Sequence, residues 1–160
     1  MFRARNLHGP GHTTRERYLI RMRTVLITLL LALPAHAWEF QPSPICTLSH
    51  TEASDQVVVT YDHATGLYAI AVTTAAGWPN APAFSIRFDG ARPNTISTAR
   101  HETAGRTLTV SDVGFGNVLD GLEFNATATA FTQTAAVTVS LTGAAPEVRK
   151  FRACATAPIA

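Results

Sequence analysis

From Cys46 onward, apolar and polar positions alternate with a period of two, the pattern of strands buried on one face. Val57 to Tyr61 reads VVVTY, β-branched and nearly continuous, which predicts a central strand. Asp62 to Gly66, DHATG, is a short loop ending in glycine and fits a hairpin. Leu67 to Thr73 then puts Tyr68, Ile70 and Val72 on one face. Phe84 to Asp89 alternates cleanly, Thr95 to Ala99 is a weaker strand, and Thr107 to Val113 turns Leu108 and Val110 inward. Ala126 to Phe131 and Ala136 to Thr142 form a last pair, with Val137, Val139 and Leu141 together. The strands are separated by GWPNAP from Gly77, by Asp89-Gly90, by Ala104-Gly105 and by a loop over Gly114-Phe115-Gly116-Asn117. Val118 to Leu122 reads as one helical turn. Pro146 suits the first turn of a helix, along which Val148, Phe151 and Cys154 recur at three-residue spacing. Roughly seven short strands, with turns every eight to twelve residues, predict an all-β fold. The expected architecture is a mainly antiparallel sandwich or barrel with a short C-terminal helix, in a single domain over residues 38–160.

The alternation is absent before Trp38. Met22 to Phe40 reads MRTVLITLLLALPAHAWEF. Arg21 and Arg23 flank an apolar run from Val25 to Leu33 that only Thr28 interrupts, and Pro34 and Ala35-His36-Ala37 follow. A positive flank, a short apolar stretch and an A-x-A ending are the three parts of a secretory signal. A membrane span needs about 20 apolar residues, more than this run supplies. Residues 22–37 are therefore expected to be a signal peptide, cleaved between Ala37 and Trp38. Residues 1–21 lack any long apolar run and are expected to lie outside the fold. They are either a start placed ahead of the true one at Met22, or a long, disordered leading region.

Removing this leader changes the charge. It carries six arginines against one acid, Glu16, so the formal net charge moves from +2 to −3. A basic chain would suggest nucleic acid or anionic lipid; a mildly acidic one does not, and no nucleic-acid partner is expected. Arg149, Lys150 and Arg152 are the one basic cluster left, and they read as a solvated helix face. Export also decides the chemistry of the two cysteines, Cys46 and Cys154. In an oxidising compartment they are expected to form a disulfide closing nearly the whole domain. Cys46 lies nine residues past the predicted cut, too far to be a lipid-bearing cysteine, so no stable membrane anchor is expected.

Candidate chemistry is sparse. His101-Glu102 is half of a zinc-protease motif, but Gly105 stands where the second histidine belongs. There is no C-x-x-C, no G-x-S-x-G and no phosphate-binding loop. Asp62-His63 falls in a hairpin loop, where turn chemistry accounts for the aspartate. No catalytic residues, metal ligands or cofactor are assigned on this pattern. The competing reading is a small hydrolase or metal-dependent enzyme that gathers His50, His63 and His101 with Asp62 or Glu102. Phe84 and Phe88 alternate as core residues do, so Trp78, in its proline-rich loop, is the aromatic kept as a ligand contact, for instance with a sugar. Arg87 and Arg100 are placed to pair across strands with Asp89, Glu102 or Asp112. Asn125-Ala126-Thr127 is a glycosylation sequon if the host glycosylates exported proteins.

Four stretches carry a resemblance: WEF at Trp38, GWPNAPAFSIRFDG at Gly77, GFGNVLDGLEFN at Gly114 and FRAC at Phe151. Through them the chain resembles a group of small exported alphaproteobacterial proteins of unknown function. Members of that group sometimes bear the name of an excinuclease component. An ATP-driven DNA-repair helicase needs a phosphate-binding loop and several large domains, so that name does not suit this chain. More distantly, the signal, the β-rich body and Val137 to Ala145 (VTVSLTGAA) before a short helix are similar to the invasion-associated locus B family of periplasmic proteins. Neither resemblance implies site residues. Together these readings lead to the expectation of a periplasmic or secreted, non-enzymatic binding module whose partner is a protein or an envelope component.

Overall fold

The computed structural model describes residues 38–158; the predicted signal peptide and residues 1–21 lie outside them. The strands are β1 (Glu39–Gln41), β2 (Cys46–Glu52), β3 (Asp55–Asp62), β4 (Leu67–Thr73), β5 (Phe84–Gly90), β6 (Asn94–Thr98), β7 (Glu102–Ala104) and β8 (Thr107–Asp112). Helix α1 (Gly116–Phe124) follows, then β9 (Asn125–Phe131), β10 (Ala136–Ser140) and helix α2 (Ala144–Thr156). One sheet runs β1-β2-β3-β4-β8-β7 and the other β10-β9-β5-β6. Every pairing is antiparallel. The fold is thus a two-sheet sandwich, not a closed barrel.

Alternation builds the core. Leu48, Val59, Val72 and Leu108 from the first sheet, and Phe84, Phe88, Val137 and Val139 from the second, are buried in one apolar cluster. VVVTY is indeed central, paired on both sides by β2 and β4. Size is matched across β5 and β9: Phe88 pairs with Ala128 and Ile86 with Ala130, so each bulky side chain has a small neighbour. Fully burying each of these large side chains contributes about 1.5–3 kcal/mol. The Asp62 loop closes as a hairpin through its own side chain: Oδ1 accepts from the Ala64 N–H at 2.8 Å and Oδ2 from the Thr65 hydroxyl at 3.0 Å. Gly66 supplies the positive φ of 68° that ends the turn.

Two expectations need correction. There are ten strands among the described residues and not roughly seven: β2 follows from the alternation at Cys46 without being marked off as a strand, and β1 and β7, each of three residues, pair at the two edges of the larger sheet. Segments that short carry too little alternation to be read. The loop expected over Gly114 to Asn117 also ends early, because α1 begins at Gly116 and continues to Phe124. Glycine is a poor helix former, but burial of Val118, Leu119 and Leu122 outweighs that local preference. Gly121 is needed where it stands, since a Cβ there would overlap the Phe88 ring.

Helix α2 lies against β1, β2 and α1, with Val148 and Phe151 fully buried. The Phe40 ring meets Phe151 edge-on at 6.5 Å. Cys46 and Cys154 form the expected disulfide across 108 residues, with Cα atoms 6.0 Å apart. In the chain-entropy account a loop of this size stabilises by about 4–5 kcal/mol. No helix among the described residues is long and apolar enough to cross a membrane.

Candidate functional site

The two long edges of the sandwich differ. Along one, where β10 meets β1 and β2, the sheets are tied. The Trp38 indole N–H donates to the Ser140 carbonyl at 2.9 Å, and the Glu52 carboxylate accepts from the Ser140 N–H at 2.8 Å. His50 is buried beside them, its ring stacked on Trp38 at 4.8 Å. Its Nε2 is 3.5 Å from Glu52 Oε2, within ion-pair reach but without hydrogen-bond geometry.

Along the opposite edge, where β6 faces β8, the sheets part and leave a cleft of about 160 Å³. Ile70, Phe84, Ile86 and Phe115 form its apolar floor, while Ser97, Arg100 and Asp112 lie at its polar side. The Arg100 guanidinium donates to Asp112 Oδ2 at 2.9 Å. Its side chain is 82 % exposed, whereas Asp112 is 35 % exposed and anchored by the Val113 N–H at 2.7 Å. Arginine is therefore the solvent-facing member of the pair, and Asp112 its anchored acceptor. An apolar cavity of about 150 Å³ in another protein takes up benzene, so this floor suits one ring or a short branched chain. Beside it, Arg100, His101, Glu102, Thr109 and Ser111 line a polar hollow of about 210 Å³.

The three histidines do not converge. His50 lies on β2 at the tied edge, His63 follows β3 in the hairpin loop, and His101 precedes β7 at the far edge of the same sheet. Asp62 is committed to its own turn, and Glu102 is exposed on an edge strand. The cluster that does form was not read from sequence: His63 Nε2 lies 3.6 Å from Cys46 Sγ. The His63 ring meets Tyr61 edge-on at 4.9 Å, and Tyr61 leads through Tyr68 to a stacked Phe115. Burial pushes the Tyr68 hydroxyl pKa up, Tyr61 adds to that, and Arg152 opposes both.

Trp78 is not the open aromatic expected of a ligand contact. It is 5 % exposed, its indole N–H donates to the Val72 carbonyl at 2.8 Å, and Phe84 packs edge-on against it. The proline-rich loop folds back, with the Trp78 N–H donating to the Gly105 carbonyl at 3.3 Å, and carries the indole under the sheet. The remaining candidates are engaged within the fold, and not as expected. Arg87 pairs with Asp89 along its own strand at 2.9 Å. Arg149 and Arg152 reach Glu123 on α1, and Lys150 reaches Glu147, so the basic cluster is paired. The Asn125 amide donates to the Gly121 carbonyl and accepts from the Arg92 N–H, which ties up the sequon side chain.

What sequence reasoning missed is the cleft. The Arg100–Asp112 pair was legible as a cross-strand contact, but no local pattern says that the sheets separate there. The chain matches no protein-family model, no curated protein and no solved structure.

Proposed function

We propose that this is an exported, disulfide-closed binding module of the periplasm or the secreted fraction. Its ligand site is the cleft between β6 and β8. The ligand has an apolar group the size of a phenyl ring and an anionic end that reaches Arg100, as small envelope-derived acids and exposed peptide termini do. The observation that carries this is the pairing of an apolar floor with an exposed guanidinium at one open edge. Export is supported by the signal-like sequence and the disulfide, and Trp38, the residue cleavage would leave first, is already core. The resemblance to small exported proteins agrees with it.

The test uses 3-phenylpropionate as probe, followed by amide chemical shifts. Shifts confined to Phe84, Ile86, Phe115 and Arg100, with affinity about tenfold weaker in Arg100→Ala, are expected. Ile96 of β6 also lines the cleft, and Ile96→Trp should fill it and abolish binding. Absence of shifts at the cleft, or indifference to both variants, sinks the reading. Mass spectrometry of the exported protein should find Trp38 at the N-terminus; an intact Met1 or Met22 in the soluble cytoplasm refutes export.

A further inference from the structure

Cys46 Sγ, Cys154 Sγ and His63 Nε2 all lie within 4.8 Å of one another. They come from three elements far apart in sequence: the start of β2, the end of α2 and the β3–β4 loop. In tetrahedral zinc sites Zn–S is about 2.3 Å and Zn–N about 2.0–2.1 Å, which sets sulfur and nitrogen roughly 3.5 Å apart. The 3.6 Å between Cys46 Sγ and His63 Nε2 already matches that edge. While the disulfide is intact neither sulfur is a thiolate, and the thiolate is the ligand. We propose that reduction of the Cys46–Cys154 disulfide converts this cluster into a site for a thiophilic divalent cation such as Zn²⁺, held by Cys46, Cys154 and His63.

The step balances with an external dithiol as reductant. Its thiolate attacks Cys154, which is half-buried where Cys46 is fully buried. The Cys154–Cys46 bond breaks and its electron pair passes to Cys46 Sγ. The second thiol of the reductant then displaces Cys154, and the reductant leaves as a cyclic disulfide. The two protein sulfurs carry two protons in the dithiol form, and the cation releases both to solvent on binding. Neutral His63 binds through Nε2, and water takes the fourth position.

The ligands do not depend on the bond for their meeting. Val148 and Phe151 seat α2 in the core, and Arg152 ties it to Glu123 of α1 at 3.1 Å. His63 is held by the Tyr61 ring, and Cys46 by the pairing of β2 with β3. Opening the disulfide leaves these supports in place, so the three ligands stay near one another and the sulfurs need only part far enough to share one ion.

The experiment reduces residues 38–160 with dithiothreitol, removes the reductant under anaerobic conditions, and titrates Co²⁺. The expected result is one Co²⁺ per chain, with sulfur-to-cobalt charge-transfer absorption and tetrahedral visible bands, displaced by Zn²⁺. The oxidised protein should show neither. His63→Ala, altered in a loop, should keep its circular dichroism and bind roughly tenfold or more weakly. Failure of the reduced chain to bind, equal affinity in His63→Ala, or loss of the fold on reduction each overturns the proposal.

Discussion

Trp38 and Ser140 are 102 residues apart in sequence and joined by a hydrogen bond of 2.9 Å from the indole to the backbone carbonyl. That bond, with the ring stacked on His50, ties the sheets along one edge. Trp38→Ala should cost about 3–5 kcal/mol in urea unfolding, the range for deleting a buried aromatic. Trp38→Phe should cost less but leave the Ser140 carbonyl without that donor, at about 1–3 kcal/mol. A Trp38→Ala midpoint equal to wild type would show that this edge contributes nothing.

Gly121 and Phe88 make a second pair that substitution can test. Gly121→Ala drives a methyl group into the Phe88 ring, and overpacking of this kind costs about 1–3 kcal/mol. Phe88→Leu alone should also destabilise, by removing buried aromatic volume. The double variant should be more stable than the sum of the two losses implies, because the smaller side chain makes room for the alanine. Strict additivity in thermal melts would mean that the two positions do not press on each other.

Replacing both Cys46 and Cys154 with serine should lower stability by up to about 4–5 kcal/mol. Total stabilities of single domains run to about 5–15 kcal/mol, so the variant is expected to remain folded at 25 °C with an earlier denaturant midpoint. Alkylation of the native protein without reductant should add no mass. Two added alkyl groups would show the thiols to be free.

Tyr68 gives the stability a pH dependence. Burial, reinforced by Tyr61 and opposed by Arg152, raises its pKa in the folded chain. The folded state thus keeps a proton that the unfolded chain releases near pH 10. The contribution is complete below about pH 10 and is lost as pH rises through the folded value. Denaturant midpoints should fall as pH rises past about 10. Tyr68→Phe should flatten that part of the fall; an unchanged slope would assign it to other groups.

The sandwich was legible where side chains alternate over five or more residues, as in FSIRFD and AVTVS, because that period reports directly which face is buried. It was illegible where an element is short or locally disfavoured. The β1 and β7 edges have three residues each, and α1 opens on Gly116 and Asn117, which read as loop. The cleft and the His63–Cys46 contact belong to a different class. Cys46 pairs with Tyr61 in the β2–β3 register, and only that register brings a histidine two residues further on against the sulfur. Trp78 failed for the converse reason: proline and glycine marked a loop correctly but carried no information about where the loop points.

The Cys46–Cys154 link makes the domain, covalently, a ring that takes in most of the described residues. A protease that cuts once inside the ring releases no fragment: the nicked molecule gains one water and stays in one piece until it is reduced. The ends of the ring are 6.0 Å apart at Cα, so a short peptide joining them could replace the sulfur bridge, and new termini could be opened in the Asp62 hairpin. One clipped loop would then be survivable damage.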